Sequence, residues 1–141
     1  MTHASKRLLV LFGLALALVG CQQAQDPIVG KWETPAGATK MVWVFQPNGT
    51  AGYDVSDLEA RIRSRLGSRP MPARARQLLE NERAKTFTWK REGSVYRLEG
   101  ADFQQTRLGR VIFVKIQGDR MSLTSPDGKS GVPGFEFSRV R

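Results

Sequence analysis

The sequence predicts a mainly-β domain with a helical insert, an antiparallel meander that forms a small barrel or a strongly curved sheet. Three observations carry this expectation. From Ile28 onward, short segments with a two-residue alternation recur, most of them separated by clusters of Gly, Pro, Asn and Asp. Between residues 56 and 84 the apolar period lengthens to about four. Finally, seven or so strands joined mostly by tight turns favour closure, because closing a sheet removes its exposed edges.

The elements follow in order. Residues 28–34 read as a first strand, stopped by Pro35-Ala36-Gly37. Lys40 to Gln46 place Met41, Trp43 and Phe45 on one face, with Val42 and Val44 on the other. Pro47-Asn48-Gly49-Thr50 is a turn, since Asn and Gly accept positive φ cheaply, and Thr50 to Asp54 returns as the partner strand. Ser56 followed by Glu59 has the spacing of a capping box. Leu58, Ile62 and Leu66 then form one apolar stripe of a helix that Gly67 stops. Pro70 and Pro72 introduce a second helix, Ala73 to Ala84, which buries Leu78 and Leu79. Strands resume at Thr86, where Phe87 and Trp89 alternate with polar residues, and Glu92-Gly93-Ser94 turns the chain into Val95 to Glu99. Residues 100–107 read as loop and 108–117 as a strand that is apolar on both faces. Gly118-Asp119 leads into Arg120 to Thr124, residues 125–131 form a loop, and Phe135, Phe137 and Arg139 alternate in a last strand.

The N-terminal region has a different character. Lys6 and Arg7 precede an unbroken apolar run from Leu8 to Val19, an arrangement expected of an export signal. Twelve apolar residues rise only about 18 Å as a helix, short of a hydrocarbon core of roughly 30 Å. The run ends in Leu18-Val19-Gly20-Cys21, which resembles the lipobox of bacterial lipoproteins. That resemblance implies cleavage before Cys21, lipidation of its thiol and a tether over residues 21–26. With Gln22 rather than Asp after the cysteine, it also implies the outer membrane, facing the periplasm. The simpler reading is an ordinary export signal followed by an unrelated cysteine.

Removing residues 1–20 leaves 121 of the 141 and takes away the one histidine, His3, while lipid would account for the one cysteine. A His-based general base, a Ser-His-Asp or Cys-His arrangement and the usual zinc sets are thereby excluded from the mature domain. No catalytic residue, metal ligand or cofactor is expected, and carboxylate-only chemistry has nothing specific behind it. The formal charge of +9 falls to +7 without Lys6 and Arg7, which favours anionic partners such as anionic lipid, lipopolysaccharide or cell-wall polymer. Nucleic acid suits the charge, but export and the lack of a recognition motif argue against it.

The domain at 27–141 also carries a family likeness. Gly30-Lys31-Trp32 in the first strand resembles the Gly-x-Trp motif of lipocalins, and Phe45-Gln46-Pro47-Asn48-Gly49-Thr50 resembles the turn of the first hairpin in small lipocalin-like bacterial lipoproteins. The likeness implies that a late-strand arginine lies over the Trp indole and closes the barrel, a role for which Arg139 is in phase. A core tryptophan and a surface arginine are the simpler readings of that pair. The second lipocalin motif is not evident, and the insert at 56–84 has no counterpart in the standard barrel, so a helix pair is free to plug its mouth.

Two functional readings follow. In the first, a lipid-anchored, non-enzymatic module of the cell envelope works through its outer surface. Arg61, Arg63, Arg65, Arg69, Arg74 and Arg76 fall within sixteen residues, and Arg61, Arg65, Arg69, Arg74 and Arg76 are the candidates for contact with an anionic surface. A solvated helix face is the plainer account of the same cluster. In the alternative, the barrel binds a small apolar or amphipathic ligand between Trp43, Phe45, Phe87, Trp89 and Phe113. An internal cavity of at least about 300 Å³ lined by those rings would favour the second reading.

Overall fold

A computed structural model describes residues 24–35, 40–101, 103 and 109–141. The tether residues 21–23 and Cys21 lie outside the described residues. Eight antiparallel strands close in sequence order into one barrel, a lipocalin-like meander with a helical insert. The strands are β1 (Gly30–Glu33), β2 (Val42–Phe45), β3 (Thr50–Tyr53), β4 (Thr86–Glu92), β5 (Val95–Glu99), β6 (Val111–Gln117), β7 (Arg120–Thr124) and β8 (Gly131–Arg139). Helices α1 (Ser56–Leu66) and α2 (Ala73–Ala84) both lie in the connection from β3 to β4.

The pairing register fixes which rows face inward. Trp32 stands opposite Trp43, Phe45 opposite Ala51, Ala51 opposite Phe87, Trp89 opposite Leu98 and Met121 opposite Phe137. Side chains two apart share a face, so one continuous inward set results, and it forms the core. Phe113 belongs to the other set. Its neighbours Ile112 and Val114 are buried, while Phe113 pairs with Arg97 and Thr124 on the outer wall and is only half-buried. The expectation of an inward Phe113 is therefore corrected. Both parities of that strand are apolar, and only the partner strands decide which one faces in.

The two ends of the barrel differ. Tight turns at 46–49, 93–94 and 118–119 gather at one end, and the long connections after β1, β3, β5 and β7 gather at the other. The helices leave from that second end. The N-cap position of α1 falls on Val55, with no side-chain cap, rather than on Ser56; just before it, Asp54 Oδ1 accepts the Ser56 amide at 2.9 Å and also the Ser56 hydroxyl. Glu59, free of a capping role, holds Arg63 of its own helix and Arg83 of α2. Gly67 ends α1 with φ of 59°. In α2 only Leu79 is buried, and Leu78, expected inside, is 45 % exposed.

Lys31 on the barrel wall reaches Asp54 at 2.6 Å and ties the start of α1 to β1. Together with the Ser56 hydroxyl and amide, this contact holds the Asp54 carboxyl down to about 2, from 3.8. The charged form is favoured by folding, so its contribution is complete above about pH 4 and fades as pH falls toward 2. Acid unfolding of wild type and Asp54→Asn is expected to differ most above pH 4, with the gap closing by pH 2. Denaturant midpoints measured across that range check it.

Candidate functional site

One end of the barrel is sealed by backbone. Residues 26–29 cross beneath the strands, and the Ile28 side chain is fully buried. The Trp32 indole Nε1 donates to the Ile28 carbonyl at 2.8 Å. The Arg139 guanidinium lies 4.3 Å from the centre of the Trp32 ring and donates to the carbonyls of Val29, at 3.1 Å, and of Pro27. Asp119 in the β6–β7 turn faces it at 3.4 Å. A single arginine thus joins the first strand, the last strand and the crossing segment. Gly30 makes this arrangement sterically accessible. Its φ of +127° suits glycine, and a Cβ there would stand 3.2 Å from Arg139 Nη1. Tyr96, from the inner row of β5, donates its hydroxyl to Asp26 at 2.6 Å, and burial with that carboxylate beside it pushes the phenol up to about 12. Arg139→Ala removes the cation–π contact together with these hydrogen bonds and is expected to cost about 2 kcal/mol, measured by urea unfolding.

The opposite end carries the long connections. A pocket of about 280 Å³ lies there, lined by Met41, Trp43, Tyr53, Phe103, Leu123 and the β8 segment from Gly134 to Phe137, with Thr34 and Pro35 at the rim. Neither α1 nor α2 contributes to its lining, so the helix pair does not plug the mouth. Phe103 reaches into the barrel at this end instead. It comes from the connection between β5 and β6, is 2 % exposed, and sets its ring 5.9 Å from Trp43 and 5.1 Å from Phe87. Beneath it the interior is filled. Trp43 packs on Phe137 with centroids 4.3 Å apart, and Phe45 and Phe87 meet edge to face at 5.6 Å. The pocket is therefore a shallow cup over a solid aromatic floor.

The shape of the mouth follows from unequal strand lengths. β8 is nine residues long, but β1 pairs with it only at Trp32–Arg139 and Glu33–Ser138. Above that point the β8 stretch with Phe135 forms one lip, and Phe135 is 40 % exposed.

The predicted ligand-contacting residues divide accordingly. Trp43 lines the pocket. Phe45 and Phe87 form the packed floor, and Trp89 sits toward the sealed end, its Nε1 donating to the Gln46 carbonyl at 2.9 Å and its ring beside Tyr96. Phe113 is outside the barrel. Met41, Tyr53, Phe103, Leu123 and Phe135 line the pocket and were not among the sequence candidates. The inward parity of Met41 with Trp43 pointed to one of them, and a lone phenylalanine in the polar run Ala101-Asp102-Phe103-Gln104 marked another.

A second groove, of about 470 Å³, runs outside the barrel between Lys31, Val44, Gly52 and Arg83. Its charged groups are already engaged, Lys31 with Asp54 and Arg83 with Glu59, so a ligand there has to displace ion pairs. Arg61, Arg65, Arg69, Arg74 and Arg76 are all exposed on or beside the helices. Arg69 folds back onto the carbonyls of Leu66 and Arg65 and finishes α1. Among the described residues no cluster of three His, Cys, Asp or Glu is placed to hold a metal ion, and no helix is long and apolar enough to cross a membrane.

Comparison with family models, with curated proteins and with solved structures finds no match for this chain.

Proposed function

We propose that this protein is a non-enzymatic, lipocalin-like binder that takes a small apolar ligand, or the apolar end of an amphipathic one, in the open mouth of its barrel. The observation that carries the proposal is the aromatic pocket of about 280 Å³ at the end opposite the Arg139 seal. Its size falls just below the roughly 300–1,000 Å³ of whole small-molecule sites, and of the rings expected from the sequence only Trp43 lines it, so it suits a small guest or one end of a larger one. With Phe45, Phe87 and Phe103 packed below, a guest enters only partway, and any polar end stays at the rim.

The lipobox-like end of the N-terminal segment supports a second element of the proposal, lipidation at Cys21. Asp26 is held at the sealed end by Tyr96 and follows Cys21 by five residues, a reach of roughly 17 Å. A lipid anchor attached there leaves the mouth at the far end of the domain. Mass spectrometry of membrane-extracted protein tests the anchor, since an unmodified chain that retains residues 1–20 would remove it.

The pocket is tested with an environment-sensitive apolar dye, 1-anilinonaphthalene-8-sulfonate. Enhanced dye fluorescence with energy transfer from tryptophan is expected for wild type. Phe135→Glu places a charge on an exposed lip without touching the core, and it is expected to weaken dye binding about tenfold while leaving the unfolding midpoint unchanged. Equal binding by both proteins would exclude the mouth as the site.

A further inference from the structure

The arginine-rich helices are not accounted for by the mouth pocket. Two observations bear on them. First, α1 buries no side chain fully: Leu58, Ile62 and Leu66 are mostly covered but each keeps an exposed edge. At 100° per residue these three make a stripe about 80° wide, with Arg61 and Arg65 along one flank and Glu59 and Arg63 along the other. Second, the cations divide between two roles. Arg63 and Arg83 are both spent on Glu59, and Lys85 on Glu82. Among the described residues Arg61, Arg65, Arg74 and Arg76 have no carboxylate partner. From residue 60 to 79 there are six arginines and no acid. Leu78, 45 % exposed, shares the α2 face of Arg74 one turn earlier.

An incompletely covered apolar stripe edged by guanidiniums with no carboxylate partner among the described residues is complementary to an interface that offers both negative charge and hydrocarbon. We infer that α1, with the start of α2, docks on an anionic, phosphate-bearing lipid surface. Arg61, Arg65, Arg74 and Arg76 engage phosphates, and Leu78, with the exposed edges of Leu58 and Ile62, meets the headgroup boundary. A soluble polyanion satisfies the charges but leaves Leu78 in water, so lipid complements this face better. The inference is independent of the mouth pocket. It is also compatible with a tether at the sealed end, since the four-residue strands β1 to β3 span only about 13 Å, less than the tether's reach.

Hydrogen–deuterium exchange of the full chain, reconstituted in vesicles, tests this without depending on how the chain is anchored. In mixed phosphatidylglycerol–phosphatidylcholine vesicles at low salt, the amides of α1 are expected to exchange at least about tenfold more slowly than in phosphatidylcholine alone. That difference is expected to disappear at about 0.5 M salt. Arg61→Gln/Arg65→Gln is expected to remove most of the protection in α1 while β4 to β7 exchange as in wild type. Equal α1 exchange in the two vesicle types, or protection that survives both the double substitution and salt, would overturn the inference. So would protection by soluble polyphosphate over phosphatidylcholine that phosphatidylglycerol fails to reproduce.

Discussion

Trp32→Ala is expected to lower the unfolding free energy by about 4 kcal/mol. The indole is fully buried, so its removal leaves a cavity that the closed barrel wall is poorly able to fill. The loss extends beyond volume. The Ile28 carbonyl loses its donor, and the Arg139 guanidinium loses the ring beneath it and stays partly desolvated. Trp32→Phe separates these contributions, because it retains a ring face for Arg139 but not the indole N–H. A cost near half that of alanine is expected for it. Equilibrium urea unfolding followed by circular dichroism measures both, and a wild-type midpoint for Trp32→Ala would mean the sealed end contributes nothing to stability.

Phe103→Ala is expected to cost about 3 kcal/mol and at the same time to deepen the mouth pocket. The ring is held between Trp43 and Phe87, and it forms the boundary between the pocket and the packed interior. Removing it adds the volume of the side chain to a space of about 280 Å³. Unlike a cavity sealed in a core, this one opens to the mouth, so a larger apolar ligand is able to occupy it. The expected signature is a protein that unfolds more easily when empty and regains part of the loss with saturating 1-anilinonaphthalene-8-sulfonate. Reduced stability with no recovery on adding dye would mean that the enlarged space is not reached from the mouth.

Much of the fold is legible in the residues, and the reasons are local. Asn48-Gly49, Gly93 and Gly118-Asp119 specify tight turns by the φ values they tolerate, and the strands flanking them begin and end close to where alternation places them. β7 matches its expected bounds of Arg120 to Thr124, and α2 its expected bounds of Ala73 to Ala84. The stacking of Arg139 on Trp32 joins residues more than a hundred positions apart, and parity along β8 together with the Gly-x-Trp likeness anticipates it.

What was not legible depends on non-local partners. The face of Phe113 is set by the β5 and β7 registers, which alternation within β6 does not encode when both faces are apolar. The choice between Leu78 and Leu79 has the same origin, since neighbouring positions on a helix differ by about 100° and only the docked surface selects one. Ser56 is the first residue of α1 rather than its cap, and it is bonded to Asp54, which Lys31 on another strand engages. Phe103 enters the core from the β5–β6 connection, whose sequence has no periodicity to reveal its direction.

The seal has a temporal consequence. Arg139 grips the Val29 carbonyl across 110 positions of sequence, and β1 has its final partner only when β8 exists. A nascent chain therefore emerges with its first strand unclasped, and ring closure comes as a late, high-contact-order event. Until that moment the sheet is an open meander whose first strand leaves one edge free.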